Sequence, residues 1–343
     1  MKNRAIEFYR YIFACIIFLL HFAKYTDWES ATGHFNGGYL AVDFFFILSG
    51  FLIMQGIDRK SQGEVAVLFE GTEKETAGFI LGKYKRLFPP YLIAIALVFI
   101  IGLLTNEYRH PFNTIFKVIP EILGIQIFIR TGTICGYTWY ISGLIWAGAL
   151  VYYLIRKHRD MATHILFPFI FLAFLGWSQK TIGHVDVVAG NDIFYAAFFR
   201  AFSEIGMGAT VFCLSNRLKG SIEKIPSALV GIVELLIFAF ILFVMWNYRH
   251  DHMDYICIFA GIALITITFT GHGLWTKILD NPFSAFIGGL SFYVYIFQGV
   301  FQAIGFKFFP DRNYWVLAGL LIVALTVFSF LFKLIEKSIF HNR

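Results

Sequence analysis

Charged residues are scarce in this chain: Asp, Glu, Lys and Arg make up 15% of its 343 residues, whereas 58% are hydrophobic. This composition excludes an ordinary soluble domain and indicates a polytopic membrane protein. The formal net charge of +6 does not indicate nucleic-acid binding, because the basic residues stand in short loops beside hydrophobic segments.

Cysteine is also scarce. The four cysteines stand at positions 15, 135, 213 and 257 with no C-x-x-C or other metal-ligand spacing, so no metal site is predicted. Internal repeats, low-complexity tracts and a Pro/Gly-rich linker are absent, and we expect a single integral-membrane domain over residues 1–343. No small-x-small cleavage site follows the first apolar run, which is therefore predicted to remain as the first helix.

Hydrophobic runs of spanning length predict the fold: an all-α, polytopic membrane bundle of about ten transmembrane helices. The predicted spans are 8–24, 39–57, 88–104, 138–155, 162–177, 193–213, 226–246, 255–270, 283–305 and 314–335. The apolar piece 118–129 is short and contains Pro120 and Glu121, so it is predicted to be interfacial or re-entrant. Residues 58–82 form the largest insertion and are predicted to carry a short amphipathic or hairpin element.

Lysine and arginine are more frequent in alternate loops, which orients the bundle by the positive-inside rule. The cytoplasmic set includes Lys2, Arg4, Arg59, Lys60, Lys83, Arg86, Arg156, Arg159 and Arg217. This asymmetry predicts that both termini are cytoplasmic. We expect a multi-pass protein of the inner (plasma) membrane, with the lipid bilayer as its surroundings.

The first segment, FYRYIFACIIFLLHFAK from Phe8 to Lys24, carries Arg10 and His21 within an apolar run. Ionisable side chains at membrane depth are costly and usually face a bundle interior or a wet cavity. Eleven residues at ~100° each return to nearly the same stripe, ~16–17 Å along the axis. The ordinary alternative is that Arg10 reaches the headgroups and His21 is an interfacial, hydrogen-bonded histidine.

Asp43 opens the second segment, at the outer level where His21 closes the first. A carboxylate beside an imidazole orients the ring and raises its basicity. Asp43 therefore becomes a candidate partner of His21, with stabilisation by the helix dipole as the alternative. The neighbouring pair Ser49-Gly50 is typical of a site where helices pack closely.

Three motifs in order give a more specific interpretation. They are Arg10 followed by ten residues and His21, the stretch FFFILSGFLI after Asp43, and KYKRLFP from Lys83 to Pro89. The TWYI of Thr138–Ile141 and GGLSFYVYIFQGV of Gly288–Val300 add a tryptophan motif and a late Ser-Tyr helix. Together they resemble the acyltransferase-3 family of integral-membrane acyltransferases, over nearly the whole chain.

The chain departs from that family's pattern at three places. Lys83 replaces the first arginine of a basic pair, which keeps the charge and loses the fork geometry. Leu144 and its neighbours are apolar where many members carry an acidic residue. Gln298 stands where a histidine is often found in the late helix.

The resemblance implies transfer of an acyl group, most simply acetyl, from cytoplasmic acyl-CoA to a sugar hydroxyl of a cell-surface glycan or lipid-linked precursor. It implies that Lys83, Lys85, Arg86 and Arg10 bind the phosphates and inner part of acetyl-CoA. It also implies that His21 acts as general base or acyl carrier, assisted by Asp43 and Arg10. Tyr137 and Trp139 become candidate acceptor contacts. The basic cluster also has an ordinary explanation as a positive-inside loop.

Other intramembrane polar residues are interpreted more simply. Arg200 and Glu204, four residues apart, are predicted to pair for structural reasons, and Glu234 has no evident partner. The outer loop with His250, Asp251 and His252 is either solvated or a metal or sugar site. A transporter or flippase of a glycolipid intermediate is the main rival function, although the inverted repeats of many transporters are missing. A non-catalytic membrane scaffold is the third alternative.

Overall fold

The computed structural model describes residues 3–25, 35–63, 71–129, 132–187, 196–309 and 313–340. Within these ranges every regular element is a helix and no strand occurs. The first seven α-helices are α1 Arg4–Tyr25, α2 Leu40–Gly63, α3 Thr72–Leu104, α4 Pro111–Lys117, α5 Ile119–Ile122, α6 Trp139–Met161 and α7 Phe167–Thr181. The remaining seven are α8 Ala196–Ile222, α9 Ser227–Asn247, α10 Met253–Thr270, α11 Leu274–Leu279, α12 Pro282–Gly288, α13 Ser291–Phe308 and α14 Tyr314–Phe340.

Eight helical stretches of the described chain are long and apolar enough to cross a membrane, and the bent pair α12–α13 makes a ninth. The difference from the predicted ten arises at Gly136–Thr181, a single stretch of 46 residues. At ~1.5 Å per residue it is about 69 Å long, more than twice the ~30 Å of a hydrocarbon core. His158 breaks the helical backbone angles (φ −142°, ψ 58°), and the π-helical turn Ala162–Leu166 follows.

Contacts at the two ends of this stretch favour two crossings. At its start, Trp139 packs on Arg200, which also binds the carbonyl of Tyr39. At its end, Gln179 bonds His252, close in sequence to His250, whose N–H donates to the Tyr39 hydroxyl. Both ends therefore lie on the same side of the bundle. The count of ten stays a prediction that this geometry supports.

Salt bridges elsewhere agree with the predicted alternation of loops. Arg156 pairs with Glu75 at 2.6 Å and Arg159 with Asp58 at 2.7 Å, which joins two segments predicted to be cytoplasmic, the insertion 58–82 and the loop that follows residue 155. Lys307 pairs with Glu107 at 3.4 Å and joins two segments predicted to be external. The chain ends at 1–2 and 341–343 lie outside the described residues, so the cytoplasmic position of both termini stays a prediction.

Two connecting segments test what the local sequence pattern predicted. Residues 118–129 form the short helix α5 and turns, so within the described chain they do not span, as predicted. The insertion 58–82 was predicted to hold a separate element, which is wrong for its described part. Asp58–Gly63 continues α2, and Thr72 onward belongs to α3, while 64–70 lie outside the described residues.

Helices α2 and α8 cross with their backbones in contact. A Cβ on Gly50 would lie 1.7 Å from the carbonyl oxygen of Ile205, and one on Gly208 would lie 1.9 Å from that of Ile47. Only glycine permits this approach, and such contacts replace the hydrophobic driving force that membrane helices lack. The close packing predicted at Gly50 is confirmed, and α2 is thereby fixed as a wall for the site.

Candidate functional site

One cavity of about 380 Å³ lies between α1, α2, α3, α6 and α13. Its α2 wall is one helical face that carries Val42, Phe45, Ser49, Leu52, Ile53 and Gly56. From residue 42 to residue 56 this face runs for about 21 Å at 1.5 Å per residue. The cavity is therefore elongated along the helix axes, and most of its lining is apolar.

Three cations line this cavity: Arg10 from α1, and Lys83 and Arg86 from α3. Glu7 accepts two hydrogen bonds from Arg10, at 2.9 and 3.0 Å, and so fixes the direction of that guanidinium. The Lys83 ammonium lies 5.3 Å from the ring centre of Phe79. Two basic motifs that are distant in sequence thus converge on one space.

Lys85 differs from Lys83 and Arg86. It does not line the cavity, because it lies two positions after Lys83, about 200° further round the helix. Its predicted part in donor binding has no geometric support, and it serves below as a control. Glu7 was not predicted; its position three residues before Arg10 in a helix is the signal that identifies it.

His21 lies near the far end of α1, where Nδ1 is 3.2 Å from Oε1 of Gln298 on α13. Its ring centre is 5.7 Å from that of Tyr137. The Tyr137 hydroxyl donates to the carbonyl of Ile296 and accepts from the N–H of Gly299. A Cβ on Gly299 would clash with that hydroxyl at 2.6 Å, so the glycine makes room for the phenol.

A layer of aromatic side chains separates His21 from the cavity. Tyr140 and Tyr295 line the cavity and pack edge to face with ring centres 5.5 Å apart. Tyr295 also packs against Tyr137 at 5.7 Å and donates a short hydrogen bond to its carbonyl oxygen. His21 therefore lies one ring beyond the uncharged end of the cavity, opposite in direction to the three cations.

The predicted pairing of Asp43 with His21 is replaced by another. Both oxygens of Asp43 accept from Arg200, at 2.7 and 3.0 Å, and both side chains are buried. Arg200 also faces Asp186 at 3.5 Å and Glu204 at 3.6 Å. The predicted Arg200–Glu204 proximity is present, but the two-point contact is with Asp43. A guanidinium fork that is removed from water binds a carboxylate more strongly than a neutral imidazole does.

Trp139 is enclosed by neighbouring side chains. It is 6% exposed, the Arg200 guanidinium lies 5.8 Å from its ring centre, and Phe46 packs against it. A sugar has no access to that ring in this arrangement. Tyr137 is only partly buried and lies beside His21, so of the two predicted acceptor contacts it is the one that the geometry favours.

Glu121 positions the segment that carries Tyr137. Its carboxylate accepts from the N–H of Ile134 at 2.6 Å, the N–H of Cys135 at 2.9 Å and the hydroxyl of Thr138 at 2.8 Å. Burial raises the pKa of Glu121, and these three donors act in the opposite direction. In the sequence, Glu121 was evidence only that residues 118–129 do not span the membrane. Its position as a lone carboxylate in an apolar stretch could have identified it as a buried structural residue.

Contacts correct the prediction for Glu234 and describe the surroundings of His250. Glu234 has partners: it accepts from Tyr9 at 3.1 Å, from Thr268 at 2.7 Å and from both the N–H and hydroxyl of Thr276. His250 bonds Asp186 at 3.2 Å and stacks on His184 at 4.0 Å. Among the described residues no group of three or more His, Cys, Asp or Glu side chains is arranged to hold a metal ion.

Comparison with known proteins adds to this geometry. A family model described as an acyltransferase domain matches residues 3–334. "Protein 2 in picA locus" of Rhizobium radiobacter is 44% identical over 61 residues, which cover 18% of this chain and 27% of that protein. No solved structure matches the chain. Since the family match extends over nearly the whole length, and the described helices form a membrane bundle, the chain belongs to the acyltransferase-3 family of integral-membrane acyltransferases.

Proposed function

We propose that this protein is an inner-membrane O-acetyltransferase. In this proposal it moves the acetyl group of cytoplasmic acetyl-CoA to a sugar hydroxyl of a cell-surface glycan or its lipid-linked precursor. The observation that carries the proposal is the polarity of the cavity, with three cations at one end and the Tyr140–Tyr295 layer before His21 at the other.

The donor end fits an anionic, elongated molecule. Arg10, Lys83 and Arg86 offer charge-assisted hydrogen bonds to phosphate oxygens. The rest of the cavity is narrow and mostly apolar, which suits a thin chain that ends in a thioester. Such a donor would lie along the face of α2 and direct its thioester towards Tyr140 and Tyr295, and these rings would have to move aside for the thioester to reach His21.

The acceptor end fits general-base catalysis by His21. A sugar hydroxyl attacks the thioester carbonyl, and the imidazole takes the hydroxyl proton as the C–O bond forms. The C–S bond then breaks, and the thiolate takes up the proton. The products are an ester and a free thiol, with no net change in protons. Tyr137 lies beside His21 and is the proposed acceptor contact.

A purified, reconstituted protein tests the proposal directly. We expect release of free thiol from acetyl-CoA, and incorporation of labelled acetyl groups into the carbohydrate fraction when host membranes are added. His21→Gln should lower the rate by about 10²–10⁴-fold, because glutamine cannot accept the proton. The affinity for acetyl-CoA should remain unchanged, since His21 does not line the cavity.

The same experiment separates the rivals. A glycolipid transporter would move its cargo between leaflets without consuming acetyl-CoA. A labelled acetyl group trapped on residue 21 after a brief reaction would assign His21 as acyl carrier instead of base. Full thiol release from the His21→Gln protein would reject the catalytic assignment.

A further inference from the structure

Two glutamines of α13 connect the His21 ring to a backbone carbonyl of α1. Gln302 Nε2 lies 3.1 Å from the carbonyl oxygen of Phe18 and 3.5 Å from Oε1 of Gln298. The same Oε1 lies 3.2 Å from Nδ1 of His21. The spacing of Gln298 and Gln302 places both amides on one face of α13, next to α1. The chain of contacts therefore begins and ends on α1.

The carbonyl of Phe18 fixes the direction of this chain. A backbone carbonyl only accepts, so the end of Gln302 that faces it must be its NH₂ group. That NH₂ needs an acceptor at Gln298, which must be the amide oxygen. An amide oxygen also only accepts, so Nδ1 of His21 must carry the proton. The lone pair of the neutral ring is then on Nε2.

The arrangement leaves two buried atoms without partners among the described residues, Nε2 of Gln298 and Oε1 of Gln302. Both side chains are almost completely buried, at 0% and 1% exposure. An unsatisfied buried amide group is unfavourable, and native structures hold few of them. Both atoms belong to the amides that connect His21 to α1, and the directions of the contacts with Phe18 and His21 account for them.

We propose that Gln298 is a positioning residue that holds His21 in its Nδ1–H tautomer and directs Nε2 as the base. This inference rests on the proposed function of His21. In serine hydrolases a carboxylate takes the corresponding place. Here Asp43 is bound to Arg200, and a neutral amide orients the ring. A neutral partner does not stabilise imidazolium as a carboxylate would.

Among the described residues, two phenols lie close to this part of α1. Tyr137 faces the His21 ring and is anchored to Ile296 and Gly299. Tyr314 of α14 donates to the carbonyl of Leu19. Arg10 lies eleven residues earlier on the same helix, roughly 16 Å away. Replacing Gln298 by glutamate would therefore introduce a carboxylate directly beside the ring.

Thiol release from acetyl-CoA, with water as acceptor, measured across pH tests the inference. Gln298→Leu keeps the side-chain size and removes the acceptor; we expect the plateau rate to fall, by no more than the ~10²–10⁴-fold that general-base catalysis contributes. Gln298→Glu restores an acceptor; we expect a near-normal plateau and an acid limb that moves up by about one pH unit or more. Acetyl-CoA affinity, measured by calorimetry, should be unchanged in both. Each variant is also made on the His21→Gln background, where neither should have a further effect.

The outcomes are distinguishable. An inactive His21→Gln protein with normal profiles in both Gln298 variants would overturn the positioning role and leave the proposed function intact. An equal loss in Gln298→Leu and Gln298→Glu would assign Gln298 to packing and overturn the inference as well. Normal turnover in His21→Gln would overturn both proposals. A plateau lost in Gln298→Leu and restored in Gln298→Glu, with a shifted acid limb, is the result expected.

Discussion

Asp43 and Arg200 form a two-point salt bridge in which neither side chain retains more than 1% exposure. The bridge joins the outer end of α2 to α8, the same pair of helices that is in backbone contact at Gly50 and Gly208. Asp43 therefore belongs to the frame that holds the site, and its substitution is expected to change stability before it changes the chemistry at His21.

The first prediction concerns this buried pair. Arg200→Met leaves Asp43 as an uncompensated buried charge and should destabilise the protein by about 3–5 kcal/mol. The control is Arg159→Ala, which removes an exposed pair with Asp58 and should cost about 0–1 kcal/mol. Thermal unfolding in detergent measures both. Equal shifts in melting temperature would contradict the structural role assigned to Arg200.

The second prediction concerns the crossing of α2 and α8. Gly50→Ala places a methyl group 1.7 Å from the Ile205 carbonyl oxygen, so the helices must separate and the protein should lose several kcal/mol or fail to fold. Gly56→Ala, on the same helix, meets no atom within 4 Å and should be neutral for stability. Expression and melting temperature in detergent compare the two. A tolerated Gly50→Ala would show that the contact is looser than described.

The third prediction concerns the cations of the cavity. Arg86→Ala should raise the apparent KM for acetyl-CoA by about 10-fold or more, because a charge-assisted hydrogen bond is worth about 1.5–3 kcal/mol. Lys83→Arg should be tolerated, since the charge remains. Lys85→Ala is the matched control: it removes the same charge from the same segment, but the side chain does not line the cavity. If Lys85→Ala raises KM as much as Arg86→Ala, the cluster acts only as surface charge.

The fourth prediction concerns pH. Burial, and next the charge of the stacked His250, hold the pKa of His184 below its usual value, while Asp186 acts in the opposite direction and Arg200 adds to the lowering. The folded state therefore binds this proton less readily than the unfolded state. The stability from neutral His184 is present above pH ~6.5 and is lost as pH falls below it. His184→Gln should reduce the fall in melting temperature between pH 6.5 and 5.

The matched control for that prediction is His110→Gln, which changes an exposed histidine ahead of α4. Its melting temperature should follow the wild-type dependence on pH. A His184→Gln protein that also follows the wild-type curve would show that His184 does not contribute to the dependence.

Local pattern was sufficient for part of the site. Hydropathy located the helices, and the eleven-residue spacing put Arg10 and His21 on one stripe, because both depend only on helix geometry. The partners of buried charges could not be found in this way. Asp43 and Arg200 are 157 positions apart, and Glu234 meets α1, α10 and α11. Which faces meet depends on how the helices pack, which a single sequence does not state.

The number of membrane spans is a second feature on which the sequence and the structure differ. Hydropathy separated 138–155 from 162–177 because Arg156–Arg159 interrupts the apolar run. The backbone bends at His158 and at the π-helical turn, but no loop separates two helices there. The two predicted spans therefore form one continuous helical stretch. The sequence and the structure place the break at the same residues and differ on whether a helix ends there.

The glycine crossing also has a mechanical consequence. Because their backbones are in contact at Gly50 and Gly208, α2 and α8 cannot slide or tilt independently, and they behave as one rigid unit. The α2 face of the cavity belongs to that unit. Any change in the width of the cavity is therefore expected at its other walls, one of which is α3 with Lys83 and Arg86, so these two proposed phosphate ligands would move with the adjustable part of the protein.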